Sequence, residues 1–430
     1  MAIRLDASEE DFEARFAAFL ETKREMARDV DAAVGSIIAD VRQNGDGALL
    51  AYTRRFDRHA LPPDRIRVQP EEMEAAYRQV VPKLLDALQL AHERIEAFHR
   101  RQRPADDMHV DALGVEMGSR WTALDAVGIY VPGGTASYPS TVLMNAVPAR
   151  IAGVGRIVMT VPTPQGRINP LVLAAAQIAG VDEIYRVGGA QAVAALAFGT
   201  ETIAPVAKIV GPGNSFVAAA KRQVFGVVGI DMIAGPSEVL VVADRDNDPA
   251  WVAADLLAQA EHDPEAQAIL VSNDSGFANS VEAAVDRQLA RLPRGETARA
   301  SWRDFGAIIL VADLADSAAL VNRVAPEHLQ LMVADPKALL PMIRNSGAIF
   351  LGRYTPEALG DYVAGPNHVL PTGRSARFSS GLSVLDFMKR NSVLGCPADA
   401  LRQLGPAAIE LAEAEGLHAH ARSIAIRLNL

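Results

Sequence analysis

AVGIYVPGG, residues 126–134, decides the fold: an apolar, β-branched run ending in glycines, with a helical segment behind it from about Ser140 to Ala152. RIVMTVP (156–162), EIYRVGG (183–189) and AKIVGPGN (207–214) repeat the theme, each short strand leading into an Ala-rich helical stretch. Strand and helix alternating at this spacing mean βαβ units and a parallel sheet. A second series begins at EVLVVAD (238–244) and runs through QAILVS (267–272), GAIILVAD (306–313) and GAIFLG (347–352). The chain therefore reads as an α/β protein of two consecutive doubly wound, incomplete Rossmann-like modules, joined near Gly235-Pro236.

Outward from these modules the character turns helical. Val34, Ile37, Ile38 and Val41 put apolar side chains on one helix face, and Glu71 to Arg100 reads as a long charged helix. Pro62 and Pro63 mark a loop between them. The last fifty residues, from Leu382 through AAIELAEAEGLHAHARS, read as helical again. The expected division is a 1–22 N-terminal extension, a first α/β domain of 23–125 plus 237–380, a second of 126–236, and a 381–430 C-terminal segment. No low-complexity linker separates them, so tight packing is expected.

Composition narrows the function. The chain has 430 residues, 50% hydrophobic and 22% charged, with a formal net charge of −10. No basic footprint for nucleic acid is visible, and Arg100, Arg101 and Arg103 read as a solvated helix end. The lone cysteine, Cys396, excludes an intrachain disulfide framework and a Cys-based zinc site. The N-terminus carries Asp6, Glu9, Glu10 and Asp11 where a signal peptide needs apolar residues. No apolar run approaches the roughly 18 residues of a membrane span. A cytoplasmic protein is expected, with no nucleic-acid or membrane partner.

Several residues could carry chemistry. The glycine turns Gly133-Gly134, Gly188-Gly189 and Gly211-Pro212-Gly213-Asn214 each end a predicted strand, where open α/β sheets bind ligands and helix N-termini offer N–H groups to phosphate. Glycines also simply make such turns. Gln259 and His262 lie three apart on a predicted helix and share a face. Imidazole suits zinc and an amide oxygen is a harder ligand; a polar helix end in water has the same look. Ser237 is a substrate donor or a turn serine. Glu327 and His328 at a strand edge make a general acid/base pair, unless both only face solvent. Asp361, His368, Glu415, His418 and His420 complete a clustering in which five of nine histidines fall between 262 and 420, which suggests a metal centre.

Taken in order, eight motifs resemble the L-histidinol dehydrogenase family across nearly the whole chain: VGIYVPGGTASYPSTVLMNAVPA (127–149), VGGAQAVAALAFGT (187–200), GPGNSFVAAAKRQVFG (211–226), IDMIAGPSEVLVVAD (230–244), DLLAQAEHD (255–263), APEHLQLM (325–332), GDYVAGPNHVLPTGRSARFSSGLSVLDFMKR (360–390) and EGLHAH (415–420). The resemblance implies oxidation of L-histidinol to L-histidine in two NAD-dependent steps through an enzyme-held aldehyde, with one zinc ion per subunit. It implies zinc ligands Gln259, His262, Asp361 and His420, with His418 as the alternative to His420. It implies substrate contacts from Ser237, Gln259, His262, His328, Asp361, Glu415 and His420, and NAD contacts from Tyr130, Gln191 and Asn214. The first α/β domain is then the zinc and substrate side and the second the NAD side.

By the same resemblance His328 takes the alcohol proton and Glu327 activates the water that hydrates the aldehyde. The family's homodimer implies that the partner's C-terminal segment completes the site. Hydride passes from substrate carbon to nicotinamide, and zinc serves as a template. Two other readings are weighed against this one. A same-fold oxidation of another small alcohol, such as a sulfonated propanediol, conflicts with Glu415, whose carboxylate repels a sulfonate. A zinc hydrolase would use Glu327 without a nucleotide.

Overall fold

The computed structural model describes residues 2–21, 28–133, 138–233 and 235–430. The second glycine of Gly133-Gly134 lies outside them. In chain order, β1 (Ile3–Asp6) is followed by helices α1 (Phe12–Glu21), α2 (Arg28–Phe56), α3 (Pro70–Gln79) and α4 (Pro82–Arg100). Strands β2 (Asp107–Val110) and β3 (Glu116–Ala123) come next.

The first alternating series is β4 (Ala126–Tyr130), α5 (Pro139–Ala152), β5 (Arg156–Thr160), α6 (Pro170–Ile178), β6 (Glu183–Tyr185), α7 (Gly189–Phe198), β7 (Lys208–Val210), α8 (Ser215–Val224) and β8 (Gly229–Ile230). The second is β9 (Glu238–Ala243), α9 (Pro249–Ala260), β10 (Gln267–Ser272), α10 (Ser275–Leu289), α11 (Gly295–Phe305), β11 (Ala307–Leu310), α12 (Ser317–Val324), β12 (His328–Met332), α13 (Pro336–Leu339) and β13 (Ala348–Leu351). After it come α14 (Glu357–Tyr362), β14 (Met388–Gly395), α15 (Ala398–Ala414) and α16 (His418–Ala425).

Both series form parallel sheets. Their orders are β6-β5-β4-β7-β8 and β1-β11-β10-β9-β12-β13. Counted from its own first strand, each runs third-second-first-fourth-fifth, with β1 added at the edge of the larger sheet. In each sheet the order in which strands are added reverses between the first and fourth strands, which makes a crevice there. Helices cover both faces of the larger sheet: Val239 and Val241 meet α9 and α10 on one side, while Leu240 and Val242 meet Phe16 of α1 and Val321 of α12 on the other. Burial on both faces is why these strands read as continuous apolar runs.

Three expectations are corrected. The N-terminal stretch is not wholly helical, since β1 pairs in parallel with β11. The C-terminal stretch contains β14, which joins β3 and β2 in a three-stranded antiparallel sheet. The lead-in helices pack with the smaller sheet's helices, α2 on α7 and α8, α3 on α6, and α4 on α5. Val34, Ile37 and Val41 share a core with Val193 and Ile209, and Ile95 one with Val142. The apolar stripe visible in sequence required a partner; the nearer unit in three dimensions supplied it. Among the described residues no helix is long and apolar enough to cross a membrane.

Candidate active site

At the smaller sheet, the crevice between β4 and β7 gathers the three glycine turns. Tyr130 closes β4, is buried, and its hydroxyl accepts a 3.0 Å hydrogen bond from the Gly189 N–H. Burial pushes its phenol up to about 12, against that bond. Gln191 sits in the first turn of α7, 1% exposed, and its Oε1 has no hydrogen-bond partner among the described residues. Asn214 caps α8 by accepting from the Val217 N–H at 3.2 Å. Gly211 has φ +109°, and a Cβ there would overlap the Tyr130 carbonyl oxygen. These residues stand together at the carboxyl ends of their strands, as their positions after strands predicted.

At the larger sheet the chemistry collects at the opposite edge. His328 opens β12, and Glu238 opens the neighbouring β9. The His328 ring Nδ1 lies 3.0 Å from the Glu238 carbonyl oxygen, and the Glu327 carboxylate accepts from the Glu238 N–H at 3.0 Å. One backbone residue thus holds both groups of the expected acid/base pair. Ser237 stands just before it, half-buried, with its carbonyl accepting from Gln267.

Around the imidazole stand Glu327 and Glu357, each 3.8 Å from Nδ1, and Asp361, 3.7 Å from Nε2. Those separations exceed a hydrogen bond, so His328 Nε2 is buried without a partner among the described residues. Glu357 and Asp361 lie one turn apart on α14, which packs on α9. The Asp361 carbonyl meets His368 Nδ1 at 2.9 Å. Gln259, 2% exposed, ends α9; His262 lies just past the helix end in the following turn rather than on the helix itself.

The charges in this cleft do not balance. Burial raises Glu327 to about 7 and Glu357 to about 8, in both cases against the pull of His328. Burial raises Asp255 to about 6, against its bond from Gln330. Burial also works to lower His328, but Glu327, Glu357 and Asp361 together hold it up at about 10. Asp361 is pushed upward by burial, yet His328, His368 and His262 leave it below the ordinary carboxylate range. Burial lowers His262 and His368, both drawn the other way by Asp361. Three carboxyl groups thus face one strongly held imidazolium, with Asp255 acting on Glu357, so the cleft is short of positive charge.

Among the described residues no three His, Cys, Asp or Glu side chains stand close enough to hold a metal ion. His262 and Asp361 offer an imidazole and a carboxylate, and Gln259 an amide oxygen. These donor types suit zinc, and the deficit of positive charge suits any cation. Glu415 caps the C-terminus of α15 and His420 lies on α16, both exposed, as is His418. No hydrogen bond or ion pair joins their side chains to another described residue. The chain does not itself bring them to the cleft.

The two edges face each other. Tyr138, at the entry to α5, acts on Tyr362 beside Asp361; burial first, then Asp361 and Glu261, then Tyr138 raise the Tyr362 phenol. Asn367 donates to the Met144 carbonyl of α5 at 2.6 Å, one residue before His368. Glu357 was missed in the sequence, although its spacing of four before Asp361 on a helix was the available signal. Glu238 was missed because it acts through its backbone, which no side-chain pattern reveals.

A sequence model of histidinol dehydrogenase matches residues 20–428. The chain is 67% identical over 430 residues to histidinol dehydrogenase of Rhizobium meliloti (strain 1021), covering 100% of this chain and 99% of that one. It is 66% identical to that of Brucella suis biovar 1 (strain 1330), covering 100% of both. A crystal structure of histidinol dehydrogenase from Elizabethkingia anophelis superposes with a TM-score of 0.95 at 36% identity, covering 100% of this chain and 98% of that chain.

Proposed function

The chain belongs to the histidinol dehydrogenase family, and on that premise we propose how it carries L-histidinol to L-histidine in two NAD-dependent oxidations, as a step of histidine biosynthesis. The carrying observation is His328: Nδ1 fixed on the Glu238 carbonyl, Nε2 unbonded and turned toward Asp361.

Gln259, His262 and Asp361 would hold zinc, joined by His420 of a second subunit. When bound, zinc would supply a Lewis acid and NAD, held by Tyr130, Gln191 and Asn214, would supply the hydride acceptor. The Nδ1–H donation to Glu238 leaves the His328 Nε2 lone pair to take the alcohol proton. Asp361, once it shares its charge with a bound cation, would no longer hold His328 protonated. Glu327, held near neutrality by burial, takes a proton from the water that adds to the aldehyde. His328, after releasing the first proton to solvent, deprotonates the hydrate for the second hydride transfer. Ser237 and Glu415 contact substrate, Glu415 pairing with its cationic nitrogen.

Glu415 and His420 act in trans in a homodimer. Support comes from their exposure and from the apolar side chains beside them: Leu411 is 66% and Ile426 56% exposed. Such a surface suits an obligate partner. The reaction belongs in the cytoplasm, in keeping with a single unpaired cysteine.

The test is stoichiometric. Purified protein with L-histidinol and excess NAD is expected to give about two NADH per substrate, lost on chelation and restored by zinc. A ratio near one overturns the two-step reading, and no NADH overturns the dehydrogenase.

A further inference from the structure

In a sheet of this order, the adenosine ribose of a dinucleotide lies over the carboxyl end of the second strand, where an acidic side chain accepts its hydroxyls. The second strand here is β5. Its exit, VPTPQGR (161–167), contains no acidic residue.

An acid reaches that place from elsewhere. Asp57, just past the end of α2, accepts from the Thr163 N–H through Oδ2 at 3.0 Å. Its own carbonyl accepts from the Gln165 N–H at 2.8 Å, and His59 Nδ1 lies 3.2 Å from the Thr163 hydroxyl. The segment 57–59 is thus bound to the β5 exit by three contacts. Asp57 is buried, and its Oδ1 has no hydrogen-bond partner among the described residues. Its Oδ2 is held at the β5 exit, and its charge acts on Tyr130 at the end of the neighbouring β4.

Anchoring alone does not need this charge. An asparagine would accept the Thr163 N–H equally well, without the burial that raises the carboxyl of Asp57 against its bond to Thr163 and the nearby His59. A ribose diol supplies what the site lacks: two hydroxyl donors for a carboxylate with an unused oxygen.

We propose that Asp57 is the residue that reads the adenosine ribose, binding its hydroxyls and repelling a 2′-phosphate, so that it sets preference for NAD over NADP. This rests on the reading of the Tyr130–Asn214 crevice as the nucleotide site, and it adds a determinant that arrives from the N-terminal helices.

Calorimetric titration of the full-length protein with NAD and with NADP tests it without turnover. Asp57→Asn keeps the acceptor for Thr163 and removes the charge. The expected result is a loss of about tenfold or more in NAD affinity, as for a charged hydrogen bond, with NADP affinity unchanged or improved. Asp57→Glu, which keeps the charge on a longer arm, is expected to retain discrimination against NADP. Equal weakening of both nucleotides by Asp57→Asn, or no weakening of NAD, overturns the proposal. Asn214→Ala is expected to weaken both nucleotides alike. If it leaves both unaffected, the crevice reading itself fails, and the Asp57 assignment with it.

Discussion

Lys221 and Asp231 form an ion pair sealed from solvent, their side chains 3% and 1% exposed, and both ends fasten on Gly211. The Lys221 ammonium donates to the Gly211 carbonyl at 2.9 Å, and the Asp231 carboxylate accepts from the Gly211 N–H at 2.8 Å. The pair joins α8 to the end of β8 and clamps the turn that must pass against Tyr130. Lys221→Met leaves a buried carboxylate unpaired and is expected to cost about 3–5 kcal/mol. Lys221→Met with Asp231→Asn removes both charges and is expected to recover at least half of that in urea unfolding. NAD affinity should stay reduced in the double variant, because the Gly211 carbonyl has lost its donor. Full recovery of NAD binding would show that the clamp does not position the turn.

The clamp also shows where sequence reading stops. GPGN and its helix were legible, because apolar strands buried on both faces and alternating with Ala-rich helices have no other common reading. Lys221 and Asp231, ten residues apart, look like ordinary surface charges until the fold encloses them. The antiparallel sheet was hidden for a related reason: β2 is exposed throughout and β14 mostly so, leaving no alternation to read. His262, His328 and Asp361 were found because they sit in motifs. Glu357, which sets the charge around them, belongs to no motif, and Asp255 and Gln330, though inside DLLAQAEHD and APEHLQLM, owe their part to burial.

Asp255 gives a pH signature of stability. Its carboxyl is raised to about 6 by burial, against the Gln330 bond, from an ordinary 3.8. A raised carboxyl binds its proton more tightly in the folded chain, so stability falls as pH rises from about 4 to 6 and the cost is complete above that range. Asp255→Asn keeps an acceptor for Gln330 and removes this cost. It is expected to be more stable than the parent by about 3 kcal/mol at pH 8 and nearly equal near pH 4. Thermal unfolding of both proteins across that range checks the sign. A variant less stable at pH 8 would mean that the ionised Asp255 is held by favourable contacts.

As the proposed base for hydration, Glu327 is expected to separate the two oxidations. Its carboxylate lies beside His328 but is bonded to the Glu238 N–H, an acceptor role that Glu327→Gln preserves through the amide oxygen. The variant can no longer take a proton from water. The first hydride transfer should therefore suffer little, while oxidation of the aldehyde falls by about 100-fold or more, the range expected for a lost general base. Rapid mixing with histidinol and with histidinal reads the steps separately. Equal losses on the two substrates would assign Glu327 to structure or to both proton transfers.

The last prediction concerns Glu415 and His420, which the chain leaves exposed on α15 and α16, without a bond to the cleft. If a partner's segment completes each site, two defective subunits can repair one another. His328→Ala spoils the body of a subunit and His420→Ala spoils its tail; each variant alone should be nearly inactive. In a mixed dimer one site combines both defects, while the other joins an intact body to an intact tail. Random reassortment makes about half the dimers mixed, each with one working site of two, so activity should return to about a quarter of the parent. Denaturing and refolding the two variants together, with each refolded alone as control, measures it. No recovery in a mixture shown by mass to contain heterodimers would mean that the tail serves its own subunit, and α15 and α16 would then have to move to reach the cleft.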